Sequence, residues 1–120
     1  MILVDTSVWI DHFRKANKQL QELLLKEDVC IHQFIIGELT CGNFSNRDEI
    51  LSLLKALLQT KIADNDEILK FIELHRLYDS GLGFIDVHLL ASAFLSNAKL
   101  WTKDKALRTV ASKLNCDYKF

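Results

Sequence analysis

Met1-Ile2-Leu3-Val4-Asp5-Thr6-Ser7-Val8-Trp9-Ile10 reads as a short buried strand that stops at an acid and turns at once into a helix. Ile2 to Val4 are apolar without interruption, and the hydroxyls of Thr6 and Ser7 suit the first positions of a helix. The same grammar returns near the other end, where Lys99-Leu100-Trp101 runs through Thr102 and Lys103 into Asp104 and a basic amphipathic stretch. Strands of this kind alternating with helices predict an α/β fold, a short parallel sheet covered on both sides. In such sheets ligands bind beyond the carboxyl ends of the strands, which is where Asp5 and Asp104 emerge.

Between these two stretches the spacing of apolar residues predicts helices over Thr6 to Arg14, Lys18 to Lys26, Phe34 to Cys41 (with Gly42 as C-cap), Arg47 to Leu58 and Asp64 to about Tyr78. A nearly all-apolar helix from Asp86 to Leu95 belongs at the centre of the core. Gly81-Leu82-Gly83 breaks the chain before it, as the tight turn that delivers Asp86 requires. Val29 to Ile31 is a strand by its β-branching, Lys61 to Ala63 a minor strand, Lys105 to Leu114 a helix and Asp117 to Phe120 a last edge strand.

At 120 residues the chain is expected to form one domain over positions 1–120, with 49% apolar and 26% charged residues, ordinary for a soluble protein. A net charge of −1 marks no global nucleic-acid binder, although summed charge leaves room for a local basic rim. The apolar N-terminal run ends at Asp5 without a basic segment before it, and no stretch approaches the roughly 20 apolar residues of a membrane span, so neither a signal peptide nor a membrane anchor is expected. Three cysteines at scattered positions point to reduced thiols and a cytoplasmic location.

The chemistry concentrates in four acids at element ends: Asp5, Glu38, Asp86 and Asp104. Singly, Asp5 and Asp104 have the simple reading of helix caps, and Asp86 that of a first-turn charge favourable to the helix dipole. Glu38 is surrounded in sequence by Ile35, Ile36 and Leu39, and a carboxylate on an apolar helix face needs a partner. Gathered in one cleft, the four would repel one another and share a hard divalent cation, Mg2+ or Mn2+. Metal ions held by acids activate water and neutralise phosphate oxygens, so the expected chemistry is hydrolysis at a phosphate, with Thr6 and Ser7 assisting beside Asp5.

Asp5-Thr6-Ser7-Val8-Trp9-Ile10, Glu38-Leu39 with Gly42, Gly81-Leu82-Gly83-Phe84-Ile85-Asp86 through Ala93, and Leu100-Trp101-Thr102-Lys103-Asp104-Lys105 occur in that order along nearly the whole chain. In these blocks the sequence resembles PIN-domain proteins, and more narrowly the VapC toxins of type II toxin–antitoxin pairs. The resemblance implies an α/β/α sandwich and Mg2+- or Mn2+-dependent endoribonuclease activity on an RNA such as tRNA or rRNA. It also implies a cognate VapB-like antitoxin and frequent homodimers. The family's acids fall on Asp5, Glu38, Asp86 and Asp104. Many relatives carry one more acid two places after the last of these, where this chain has Ala106. That difference implies a single ion held mainly by Asp5 and Asp86, with Glu38 or Asp104 reaching it through water.

Two other functions stay open at this level: a catalytically silent binding module whose acids only cap helices, and a phosphatase with Asp5 as nucleophile. The second lacks the further Asp two positions on that such sites present, since Ser7 stands there. His12, His32, His75 and His88 show no metal-ligand spacing and read as surface or satisfied core residues. Arg14, Lys15, Lys103, Lys105, Arg108 and Lys113 are candidates for phosphate contacts or for a solvated face.

Overall fold

The computed structural model describes residues 1–119. Four strands form one all-parallel sheet: β1 (Ile2–Val4), β2 (Val29–Ile31), β3 (Leu58–Gln59) and β4 (Lys99–Trp101), in the order β3-β2-β1-β4. Ile2 pairs with Val29 on one side of β1 and with Lys99 on the other, and Val4 lies opposite Trp101. The connections carry α1 (Thr6–Arg14), α2 (Lys18–Leu25), α3 (Gln33–Thr40), α4 (Arg47–Lys55), α5 (Asn65–His75), α6 (Phe84–Leu95) and α7 (Lys105–Lys113), with a 3-10 turn at Leu77–Asp79. The chain steps from β1 to β2 to β3 in one direction, then jumps back across β1 to β4. Right-handed crossovers therefore place α1 to α4 over one face and α5 and α6 over the other, which is the expected α/β sandwich. The reversal falls between β1 and β4.

Why the sheet is central follows from the residues it displays. Leu3, Val4 and Ile31 are fully buried, and Leu100 nearly so, as strands covered on both faces must be. From one side Val8, Trp9, Ile35 and Leu39 pack against them; from the other come Ile68, Leu89, Leu90 and Leu107. In α6 every residue from Val87 to Ala93 is buried, so the middle of this helix is core on every side while its ends, Phe84, Ile85, Phe94 and Leu95, reach the surface.

Several boundaries differ from expectation. The predicted helix to Leu58 stops at Lys55, and Leu58–Gln59 instead forms the edge strand; Lys61 to Ala63 is irregular. The helix expected to reach Tyr78 ends at His75, because Arg76 takes a left-handed conformation (φ 53°) before the 3-10 turn. Helix α6 opens at Phe84, two residues before Asp86. Cys41 rather than Gly42 caps α3, and it does so in the right-handed region. The last edge strand reduces to a bridge between Asp117 and Leu100, and its expected end, Phe120, lies outside the described residues. Gly81 does adopt φ +80°, which a side chain would strain, whereas Gly83 is extended and open to any residue.

Candidate active site

At the point where the sheet reverses, β1 and β4 release the chain side by side, and their exits are stitched together. Asp5 follows β1 at the N-cap position of α1, but its side chain does not cap that helix. Its Oδ2 accepts two hydroxyl hydrogen bonds, from Ser7 at 2.8 Å and from Thr102 at 2.7 Å. Both hydroxyls are themselves acceptors: Ser7 Oγ receives the backbone N–H of Lys103 at 3.1 Å, and Thr102 Oγ1 that of Asp104 at 3.0 Å. The Lys103 ammonium forms an ion pair with Asp11 on α1, a third clip across the same gap. Asp5 is 8% exposed and Thr102 4%. A nearly buried carboxylate is thus held by two donors fixed at their other ends, which sets its direction as well as its charge.

The other acids approach from three elements. Asp104 opens α7 and accepts the Leu107 N–H through Oδ1 at 3.0 Å, so it is a true cap whose carboxylate remains exposed. Asp86, in the first turn of α6, accepts the Gly83 N–H through Oδ2 at 3.3 Å. Burial pushes its carboxyl above the ordinary carboxylate range; the Gly83 N–H opposes that, and the charges of Asp104 and Asp5 add to it. Three elements therefore bring Asp5, Asp86 and Asp104 within electrostatic reach of one another. Glu38, on α3, joins through Thr6, whose Oγ1 donates to Glu38 Oε1 at 2.9 Å. The four are gathered on one edge but not closed around one point. Among the described residues, no three Asp, Glu, His or Cys side chains form a finished set of ligands for one ion.

The residues depart from their sequence readings in instructive ways. Glu38 stands exposed, on the flank of α3 beside buried Ile35 and Leu39 rather than buried with them. Asp5 is not a cap, while Asp104 is. Lys103, a candidate for phosphate, is engaged by Asp11. Thr102 links two of the acids, and nothing in the sequence marks it beyond a polar residue placed directly after buried Trp101. His32 and His88 are buried, with ring centroids 6.2 Å apart. His32 Nδ1 accepts the Phe34 N–H and caps α3, so its proton sits on Nε2, which finds no partner among the described residues.

A family model for the PIN domain matches residues 2–113. Ribonuclease VapC32 of Mycobacterium tuberculosis (strains CDC 1551 and H37Rv) is 43% identical over 114 residues, covering 94% of this chain and 92% of the relative. Ribonuclease VapC1 of Methanocaldococcus jannaschii is 32% identical over 108 residues, covering 87% of this chain and 76% of the relative. The fold is also similar to the crystal structure of PAE2754 from Pyrobaculum aerophilum, with a TM-score of 0.61, 18% identity, and coverage of 91% of this chain and 78% of that one. A parallel sheet that reverses between β1 and β4, with acids gathered at the reversal, and a match running almost from end to end lead to one conclusion: the chain belongs to the PIN-domain family, among its VapC-type members.

Proposed function

We propose that this protein is a divalent-metal-dependent endoribonuclease, the toxin of a VapBC-type toxin–antitoxin pair. The observation that carries the reading is the meeting of the acids where β1 and β4 exit side by side: Thr102 joins the Asp5 carboxylate to the backbone of Asp104, and Asp86 lies near enough to feel both charges. Crowded carboxylates of this kind lower their energy by sharing a cation. The donors are all hard oxygens, which suits Mg2+ or Mn2+ over softer ions. The incomplete set of ligands also suits Mg2+, which commonly keeps several waters and uses one or two carboxylates together with substrate phosphate oxygens. Asp5 and Asp86 would hold the ion, with Asp104 and Glu38 reaching it directly or through water. When bound, the ion supplies positive charge to the phosphate and raises the acidity of water.

The protein's own groups account for the remaining work. Ser7 and Thr102 keep Asp5 in one orientation, so its charge needs little rearrangement during the reaction. Thr6 occupies Oε1 of Glu38 and leaves Oε2 to accept the proton of the attacking water. The relatives' names support an RNA substrate; that it is a tRNA or rRNA, and that the partner is a VapB-like antitoxin, follows from the resemblance to VapC toxins. A cytoplasmic location is consistent with the absence, among the described residues, of any helix long and apolar enough to cross a membrane. A homodimer is supported by a groove of about 680 Å³ between α5 and α6, around which Leu69, Leu74, Phe94 and Leu95 stand exposed.

The test pairs cleavage with metal binding. Wild-type protein should cut RNA in Mn2+ and not in excess chelator, and the Asp86→Asn variant should fold yet lose cleavage by at least about a hundredfold, the scale of losing a group that acts on developing charge. Saturating Mn2+ should raise the melting temperature of the wild type by several degrees, since ligand at a hundred times Kd adds about 2.7 kcal/mol. Cleavage that survives chelator or Asp86→Asn would overturn the reading. A melting point unmoved by Mn2+ would favour a silent module.

A further inference from the structure

Past Glu38 the cleft continues into a recess of about 360 Å³ between the end of α1, the end of α3 and the loop of residues 42–46. Its apolar side is Phe13 and Phe44, whose rings stack with centroids 4.6 Å apart and planes 20° apart. Phe13 in turn packs against buried Trp9, with centroids 6.0 Å apart and planes tilted by 33°, so the stacked Phe13–Phe44 pair is rooted in the core. The polar side is Arg14, Asn43 and Ser45, all exposed, with Glu38 at the mouth. The loop that carries three of these residues is fastened down. Arg47 donates through Nε to the Gly42 carbonyl at 3.0 Å and through Nη2 to the Thr40 carbonyl, tying the start of the loop to the end of α3.

These features suit a flat, aromatic ligand edged with donors and acceptors. An aromatic platform gains stacking energy with any nucleobase. An Asn amide presents a donor and an acceptor in one plane, the combination that reads a base edge, and a guanidinium supplies further donors to ring nitrogens, carbonyls or phosphate. A paired base in an RNA duplex offers neither face nor edge to such a recess, whereas an unpaired one does. We propose that this recess is a nucleobase subsite: it takes one unpaired base beside the phosphate held at the acids, stacks it on Phe44 and reads its edge with Asn43 and Arg14. The proposal rests on the ribonuclease reading and deepens it by assigning the choice of base next to the cut to Phe44, Asn43 and Arg14.

Two measurements test the proposal separately from that reading. In the first, random-sequence single-stranded RNA is cut in Mn2+ by wild type, Asn43→Ala and Phe44→Leu, and the new ends are sequenced. Leu keeps the apolar volume of Phe44 without its π face, which guards against loss of the fold. Wild type should favour one base at one position by at least about fivefold, the lower end for a bidentate base contact. Asn43→Ala should flatten that preference below twofold, and Phe44→Leu should weaken RNA binding by on the order of tenfold. In the second, 15N-labelled wild-type protein in metal-free buffer is titrated with each of the four nucleoside monophosphates. The amides of Asn43, Phe44 and Ser45 should shift, most for the preferred base. Cutting with an unchanged preference in Asn43→Ala, or no shifts in these amides, would overturn the subsite and leave the ribonuclease. Shifts without any cutting by the wild type would overturn the ribonuclease and keep a base-binding recess. Variants that lose affinity for a bound protein partner while keeping the base preference would show the recess to be a protein contact, which also overturns the proposal.

Discussion

Replacing Thr102 by valine removes one hydroxyl and keeps the shape, which isolates the bond that joins the exits of β1 and β4. Thr102 is 4% exposed, so no water replaces the lost group without rearrangement. The hydroxyl donates to Asp5 Oδ2 at 2.7 Å and accepts from Asp104 N at 3.0 Å. A hydrogen bond to a charged group contributes roughly 1.5–3 kcal/mol, and a neutral one about 1. Asp5 Oδ2 keeps its bond from Ser7, and the Asp104 N–H lies in a part-buried region where some hydration compensates. The net cost should therefore be about 2–3 kcal/mol. Urea unfolding at pH 7 should show it as a midpoint lowered by roughly 1 M with an unchanged slope, taking a typical slope of about 2 kcal/mol/M. In an Asp5→Asn background the same substitution should cost only about 1 kcal/mol, because the charged acceptor is gone, giving a coupling of about 1–2 kcal/mol. A loss below about 0.5 kcal/mol, or costs that simply add, would mean that the Asp5 carboxylate does not depend on Thr102.

Two further predictions concern acid–base behaviour. The Asp86 carboxyl titrates above its ordinary 3.8 in the folded state, so its contribution to stability is present below about pH 3.8 and lost as pH rises through the folded value. Asp86→Asn should therefore be more stable than wild type at pH 7 in metal-free buffer, with the gap in melting temperature closing below about pH 4; equal melting temperatures at pH 7 would mean that neither burial nor the neighbouring acids penalise the charged carboxyl. Burial, and secondarily the charge of His88, lowers His32 from 6.5 to about 4, so its contribution is present above pH 6.5 and lost as pH falls toward 4. That amounts to up to about 3 kcal/mol of acid sensitivity. In His32→Asn, where the new side chain can still cap α3, stability between pH 6.5 and 4 should fall less steeply; a slope equal to that of wild type would remove His32 from the account.

How far the sequence alone reaches can be judged residue by residue. Ile2 to Val4 and Lys99 to Trp101 were legible because uninterrupted apolar residues followed by a polar exit leave few alternatives in a short strand. Helix α6 was equally plain, being apolar on every side. The stretch from Leu54 to Ala63 was misread because Leu57 and Leu58 continue a helical spacing after the chain has already turned into an edge strand. That strand is two residues long and its Leu58 is 61% exposed, so neither alternation nor burial betrays it. The four acids could be chosen from their positions at element ends, but their environments could not. The exposure of Glu38 depends on how α3 rolls against the sheet. The role of Thr102 depends on a partner 97 positions away, which no local pattern encodes. The recess beside Glu38 was invisible for the same reason, since its rings and polar groups come from α1 and from a loop some thirty residues later.

That long span between Asp5 and Thr102 has a consequence for how the protein comes into being. Strand β1 is made first, yet its β4 flank stays bare until the last quarter of the chain has been synthesised. Without β4 there is no Thr102 to orient Asp5 and no Asp104 beside Asp86, so a truncated or stalled product carries the early acids without the arrangement that would make them act. If these acids form the proposed site, its assembly waits for β4 to seat beside β1. For a protein proposed to destroy RNA inside the cell that makes it, the order of translation is itself a safeguard against premature damage.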